Sequence, residues 1–464
     1  MDGIFFAPNP NLFNPFSFGF QPVLCITNSI SGYNFYSIGY LSITFGFAIR
    51  YFTSSNASIG NIFVPKVLCS KVFPQIQSMK LNRIAAVLFL LFPFMGKGLF
   101  AQGTQEILYI GTFSERGSEG IYVISFDRRS NALEKIQSLT QKDSPSYLEF
   151  HNNGSFLYAA NRQGIKRSSD EGSVSGYKID QKSGKLKPIH TKASGGISPC
   201  HLSVDPFGEF LYISHYASSH VSMFPIKKNG RLGKQSFSMQ LQGSSIHPQR
   251  QSSAHTHSVI PDPSGRFVYI SDLGTDKILQ FEVDRKNKGL KLSTAVSTAV
   301  LPGSGPRHFQ LHPHAPLAFS VEELNSTLAV YEIDSRSGRL NFLDREAMLV
   351  SEEASALENT AADLAISPDG RFVYASNRGL DNIVIYAVDA SKKQIQYVGQ
   401  IKSAGEHPRG IAMDSLGEFL FVTNRDSDNL VIFKRDLDTG LLSPTTMEVQ
   451  VPAAVVIKQM VLYP

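Results

Sequence analysis

His257, Arg307 and Arg409 stand at one place in three copies of a repeated strand-turn-strand pattern, and Glu322-Glu323, Asn377-Arg378 and Asn424-Arg425 share a second place in it. The pattern reads CHLSVDPFGEFLYISH at Cys200 to His215, HSVIPDPSGRFVYISD at His257 to Asp272, ADLAISPDGRFVYASNR from Ala362 and RGIAMDSLGEFLFVTNR from Arg409. Worn copies begin at Ser146 and at Arg307, the second with Ala315 in place of the turn glycine. Eight residues before the turn, the copies carry Ser146, Cys200, His257, Arg307, Ala362 and Arg409. Seven and eight residues after it they carry Asn161-Arg162, His215-Tyr216, Asp272-Leu273, Glu322-Glu323, Asn377-Arg378 and Asn424-Arg425. In an antiparallel hairpin the start of one strand and the end of the next lie at the same edge, so the two sets converge. Imidazole and carboxylate groups exchange protons and arginines hold anions, which makes such a ring a charged small-molecule site.

The elements that hold this ring follow from the spacing of the copies. Their turn positions, Gly154, Gly208, Gly265, Ala315, Gly370 and Gly417, are 54, 57, 50, 55 and 47 residues apart, a period typical of propellers and solenoids. Each hairpin is followed by a third alternating run, such as TLAVYEID (Thr327 to Asp334) or NIVIYAVD (Asn382 to Asp389), and a weaker fourth, such as RLNFLDREAMLV from Arg339. Alternation of Val, Ile, Phe and Tyr, cut by Gly, Pro and Asp, predicts antiparallel strands. At the ends, EILYIGTF (Glu106 to Phe113) and GIYVISFD (Gly120 to Asp127) read as a second and third strand without a first. VPAAVVIKQMVLYP (Val451 to Pro464) reads as a first strand with nothing after it. Joined in one blade they close a ring and remove exposed sheet edges. The expected fold of residues 102–464 is all-β, a seven-bladed β-propeller of four-stranded antiparallel blades, with N- and C-terminal strands sharing one blade. Within it the constant positions are scaffold, and function belongs where the copies differ. For any single Asn-Arg pair, capping of a strand end is the better reading.

Ahead of the repeats, residues 79–101 follow the grammar of a secretory signal peptide. Lys80 and Arg83 precede an apolar run from Ile84 to Met95, and Ala101 is the small residue at the cut. The run is too short for a transmembrane helix, so no integral membrane domain is expected in the mature chain. Export to the periplasm or the medium is the expectation; if the segment is not used, the protein stays cytoplasmic. A signal peptide works at an N-terminus, so residues 1–78, uncharged from Gly3 to Ile49, read as an extension from a start codon placed upstream of the true start at Met79. The rival reading is a membrane-associated leader through Ile38 to Ile49.

Residues 1–101 hold six of the 44 Lys and Arg and one of the 39 Asp and Glu, which leaves 38 of each beyond them. The basic bias disappears, and with it any argument for nucleic acid or an anionic membrane as partner. Cys25 and Cys69 lie in the leader, so Cys200 alone remains and no intramolecular disulfide is expected. There is no Gly-x-Ser-x-Gly elbow and no glycine-rich phosphate loop before a helix, which argues against a covalent serine mechanism. His255 and His257, two apart, would face one side of a strand, yet lack a companion carboxylate at ligand spacing. No metal and no cofactor is assigned. His308, His312 and His314 read as solvated or core-bonded histidines.

Taken in order, YIGTF (Tyr109 to Phe113), AHTHSV (Ala254 to Val259), DLGTDKI (Asp272 to Ile278), GSGPRHFQLHP (Gly303 to Pro313) and SVEELNSTLAVYEID (Ser320 to Asp334) resemble the seven-bladed propeller lactonases. That family includes bacterial 6-phosphogluconolactonases and, more distantly, fungal 3-carboxy-cis,cis-muconate cyclases. The resemblance covers Glu106 to Pro464, and the absence of Trp separates the chain from propellers whose signatures depend on it. It implies hydrolysis of a sugar lactone, most like 6-phosphogluconolactonase. The alternatives are a muconate-type lactonising enzyme and a non-catalytic propeller that binds a ligand or protein. By resemblance the active site of one His, two Arg and one Glu falls on His257, Arg307, Glu323 and Arg378. Arginines suit a developing oxyanion, a carboxylate or a phosphate. Glu323 then serves as general base and His257 as acid, with the reverse assignment left open. His255, Asp272, Asp363, Asn377 and Arg409 are secondary candidates for binding substrate. Export would favour an unphosphorylated lactone, because sugar phosphates belong mainly to the cytoplasm. Oligomeric state has no signal.

Overall fold

Apolar alternation punctuated by Pro, Asp and Gly produces twenty-eight strands in seven four-stranded antiparallel sheets among the described residues. The computed structural model describes residues 105–140, 143–162, 171–349 and 358–463, so the expected extension and signal peptide lie outside the described residues. The inner strands are Pro145–Phe150, Pro199–Val204, Thr256–Pro261, Pro306–Leu311, Thr360–Ile366, Pro408–Met413 and Ala454–Leu462, and neighbouring ones pack on each other around a closed ring. The blade with Ala454–Leu462 inside is completed by Gln105–Thr112, Gly120–Asp127 and Ala132–Thr140. Both ends of the repeat region therefore share a blade, as the terminal sequences predict.

Apolar side chains of the blades meet their neighbours, so the core is divided between the blades. Leu108, Ile110 and Ile124 pack on Phe419, Phe421 and Ile432 on one side of the shared blade, and Ile107 and Val123 pack on Leu148 and Leu157 on the other. The turn glycines explain their own recurrence. Gly154, Gly208, Gly265, Gly370 and Gly417 have φ between 66° and 72°, a region costly for residues with a Cβ. In the worn copy Ala315 is not left-handed, and its N–H donates to His312 Nδ1 at 2.9 Å.

One irregularity recurs in every blade. Between inner and second strands the register shifts, leaving Ser146, Cys200, His257, Arg307 and Arg409 unpaired opposite their partners; Val455 does so in the shared blade and Ala362 with Asp363 in the fifth repeat. These are β-bulges, which re-aim a side chain out of the ladder. Pro145, Pro199, Pro306 and Pro408 each stand one residue before the bulge, a place that needs no interior ladder donor. The residues eight before the turn are thus bulge residues.

Candidate active site

Successive residues of a strand face opposite ways, and this divides the pairs that follow each turn. The first member, Asn161, His215, Asp272, Glu322, Asn377 or Asn424, is at most 1% exposed and bonds inward. Asn161 Nδ2 donates to Ser173 Oγ at 3.0 Å, Glu322 accepts from Arg345 Nε at 2.6 Å, and Asn424 Nδ2 donates to the Ser403 carbonyl at 3.1 Å. The second member, Arg162, Tyr216, Leu273, Glu323, Arg378 or Arg425, stands beside the bulge residues. The backbone N–H of Glu323 donates to the Gly305 carbonyl at 2.7 Å, and Arg162, Tyr216, Leu273 and Arg425 repeat this link in their own blades.

Glu323 is the hub of the site. Its Oε2 lies 3.0 Å from Arg307 Nε and 3.1 Å from Arg378 Nη2, and Arg250 Nη2 donates to its Oε1. Glu323 and Arg307 are 3% and 2% exposed, so these charges interact in a poorly screened interior. Burial opposes ionisation of Glu323, but Arg378, Arg307 and Arg250 outweigh it and hold the carboxyl well below the usual range. Burial and the charge of Arg378 push Arg307 down to about 10, so it stays cationic at neutral pH. Both guanidiniums are also fixed by backbone: Arg307 Nη1 donates to the Ala362 carbonyl, and Arg378 Nη2 to the Ala361 carbonyl at 2.7 Å. Three arginines share one carboxylate here, an arrangement with positive charge in excess.

His257 lies beside this hub, 5.6 Å from the Tyr216 ring and 5.2 Å from the His308 ring. Burial, then Arg307 and His308, hold its pKa well below the ordinary imidazole value, so it is neutral. Its Nδ1 is buried with no hydrogen-bond partner among the described residues, which marks a polar group awaiting one. Glu323 is therefore ionised and His257 neutral at neutral pH, both held below their ordinary values.

The histidines also set a stability profile. Burial depresses His190, His215 and His308 to about 4, and His201 and His257 well below the ordinary value. Below about pH 6.5 the unfolded chain binds protons that the folded chain refuses, so stability decreases as the pH is lowered, by about 1.4 kcal/mol per unit for each such proton. The melting temperature is expected to drop from pH 7 to pH 5, with several protons taken up on unfolding. A melting temperature constant over that range contradicts the neutral assignment.

The structure gathers His257, Arg307, Glu323 and Arg378 at one end of the ring. The secondary candidates separate. Arg409 belongs with them: its guanidinium lies 5.1 Å from the Phe113 ring centre, and burial with Arg307, Arg378 and Arg162 depresses its pKa strongly. Asp272 is engaged within its own blade. It accepts from His255 N at 2.7 Å, Gly274 N at 3.1 Å and Thr275 Oγ1 at 2.7 Å, which anchors a loop. Asn377 is likewise consumed, donating to the Met348 carbonyl and to Asn382 Oδ1, both at 3.0 Å. His255 stacks on Tyr216 at 4.5 Å and donates from Nδ1 to its carbonyl at 2.9 Å, so it buttresses Tyr216. Asp363 bonds His308 Nδ1 at 2.6 Å and Ile411 N at 3.1 Å, and lines a different cavity of about 210 Å³ with Tyr147, Gln310 and Lys458. Hydrogen bonds within the protein engage all four of these residues.

Two residues of the site escaped the repeat alignment. Arg250 lies in the connection from Phe237–Gln240 to Thr256–Pro261, outside the strand-turn-strand pattern. Phe113 takes the eighth position in the shared blade, its N–H donating to the Ala453 carbonyl at 3.0 Å as its equivalents do elsewhere. Pairing the two terminal fragments residue by residue would have found it; no turn joins them.

The family described as "Lactonase, 7-bladed beta-propeller" matches residues 107–459. The chain is 33% identical over 349 residues to a 6-phosphogluconolactonase of Formosa agariphila, covering 74% of this chain and 96% of that protein. It is 32% identical over 356 residues to the 6-phosphogluconolactonase of Bacillus subtilis, covering 76% and 98%. Among solved structures it resembles the periplasmic gluconolactonase PpgL of Pseudomonas aeruginosa, with a TM-score of 0.72, 29% identity, and coverage of 77% of this chain and 99% of that one.

Proposed function

This chain belongs to the seven-bladed β-propeller lactonase family, and from that premise we propose that it hydrolyses a sugar lactone at the Glu323 hub. The observation that carries the reading is one buried carboxylate holding two buried arginines beside a neutral histidine. The lactone carbonyl is polarised by Arg307 and Arg378, whose charge is in excess of the single carboxylate and therefore remains available to a developing oxyanion. His257 takes a proton from water as its oxygen bonds to the carbonyl carbon, and returns it to the ring oxygen as the carbon–oxygen bond breaks. The product is a hydroxy acid, which ionises in water. Glu323 is a positioning residue in this scheme, aiming the arginines, while Tyr216 and Arg250 wall the site.

Purified residues 102–464, assayed in a pH-stat on glucono-1,5-lactone and its 6-phosphate, test the proposal. Acid release from either above the spontaneous rate is expected; none from both removes the reading. We also propose that the protein is exported through residues 79–101, a reading supported by their charge and apolar pattern. Terminal sequencing of the natural protein is expected to begin at Gln102, and a chain that keeps residues 79–101 would refute export by this segment.

A further inference from the structure

The hydrolytic scheme leaves one buried pair beside the site unused. His308 belongs to the inner strand Pro306–Leu311, one residue past the bulge at Arg307. It meets rings from three other inner strands, His257 at 5.2 Å, His201 at 5.6 Å and Tyr147 at 5.9 Å between centres, and so stands on the axis of the ring. Its Nδ1 lies 2.6 Å from Asp363 Oδ1, on the inner strand of the next blade. Asp363 is fixed in turn, its Oδ2 accepting from Ile411 N at 3.1 Å and its Oδ1 from Leu364 N at 2.9 Å. Burial opposes ionisation of Asp363, but His308, the Ile411 N–H and Arg307 outweigh it and hold the carboxyl below its usual range. An ionised carboxylate only accepts, so His308 keeps its proton on Nδ1. Burial and Arg307 push His308 down to about 4, so the ring is neutral and Nε2 carries a lone pair.

His257 presents the complement. Its Nδ1 is enclosed, so the proton of water comes to Nε2, and a neutral imidazole that accepts at Nε2 holds its own proton on Nδ1. That N–H has no acceptor among the described residues, while the neighbouring ring of His308 offers a lone pair. We propose that Asp363 and His308 are positioning residues for lactone hydrolysis: they fix His257 as its Nδ1–H tautomer, and His308 Nε2 accepts a hydrogen bond from that N–H as His257 Nε2 takes the proton of water. This role rests on the lactonase reading and deepens it. An O–H bond of water breaks and an Nε2–H bond forms; no proton moves along the chain, and Asp363 stays ionised. Rings 5.2 Å apart need only turn to bring nitrogen to nitrogen within hydrogen-bond distance. The imidazolium needs such a partner, because Arg307 and Arg409 oppose its charge, His201 is neutral, and Glu323 is already shared by three arginines. A ligand held through its second nitrogen by an outer carboxylate has its tautomer and aim set in the same way.

The test compares Asp363→Asn, His308→Gln and His308→Leu with the unaltered protein on glucono-1,5-lactone and its 6-phosphate, and reads the imidazole tautomers of the unaltered protein by ¹⁵N NMR. Asparagine can turn its amide N–H toward His308 Nδ1, which moves that ring's proton to Nε2 and leaves His257 Nδ1 facing a donor. In Asp363→Asn kcat is expected to fall about 10²- to 10⁴-fold with KM within a few-fold, the scale for an imidazole held as the wrong tautomer. His308→Gln keeps an acceptor near the place of Nε2 and should retain about ten times the kcat of His308→Leu, as for one hydrogen bond to a charged group. The ¹⁵N spectra should place the proton of both His257 and His308 on Nδ1, a measurement that stands if a variant fails to fold. A proton on Nε2 of His257, or an Asp363→Asn protein with unaltered kcat, overturns the positioning role and leaves the lactonase reading intact. No turnover of either lactone by the unaltered protein removes the reading and the role together.

Discussion

Glu323→Gln is expected to slow lactone hydrolysis by about 10²- to 10³-fold, the scale for losing an aligned oxyanion donor, although in the proposed scheme Glu323 itself exchanges no proton. The carboxylate is the shared anchor of Arg250, Arg307 and Arg378. Without its charge, Arg307 and Arg378 stay buried, repel one another and turn toward the Ala361 and Ala362 carbonyls that already hold them. Removing one partner from a buried pair costs about 3–5 kcal/mol, because the remaining charge has been taken out of water and receives nothing in return. A lower melting temperature should therefore accompany the lower rate. Two further measurements separate positioning from general-base catalysis. Glu323→Asp keeps the charge and should recover much of the melting temperature, while the shorter side chain leaves the arginines misaimed and the rate low. The acid side of the pH-rate profile should be the same in Glu323→Gln as in the unaltered protein, because a carboxyl held so far below its usual range is ionised throughout. A Glu323→Gln protein with unaltered rate and melting temperature would remove the hub from the mechanism.

What could be read along the chain and what could not divide on physical lines. Strand alternation, turn glycines and the split terminal blade are local features, repeated often enough that the ring closes from them alone. The ring of chemically varied residues was legible for the same reason, since a hairpin must bring its ends together. Bulges were not legible: His257 and Arg307 look like ordinary strand residues, and only the pairing shows that each is displaced from the ladder. Nor could spacing separate Asn377 from Arg378, because the alternation that sends one inward and the other to the site depends on which face is covered. The protonation states of Glu323 and His257 have a similar origin. Arg250 is 73 residues from Glu323 and Arg378 is in the next blade, so the field that ionises one group and keeps the other neutral exists only after closure. The inward turn of Asp272 shows the limit most plainly: a carboxylate at a ring position became a loop anchor because three donors from its own blade reached it first.

His257→Gln should be the most damaging change for its structural cost. General-base catalysis is worth about 10²–10⁴ in rate, and glutamine keeps a polar tip in the pocket without a nitrogen that can accept the proton. No hydrogen bond of Nδ1 is lost, because it has none among the described residues, and what changes is edge contact with Tyr216 and His308. The expected pattern is a large fall in kcat, a KM within a few-fold, and a melting temperature close to that of the unaltered protein. A residue that merely packed would reverse this, moving the melting temperature and sparing kcat. The pH dependence supplies an independent check with a definite sign. Burial and the charge of Arg307 keep the imidazole unprotonated far below its ordinary value, so the unaltered enzyme should hold its rate as pH falls through 6.5 and lose it only at lower pH. A rate that halves near pH 6.5 would mean that the base titrates like a solvated histidine, outside the field of Arg307 and the other cations, and would move the proton transfer to another group.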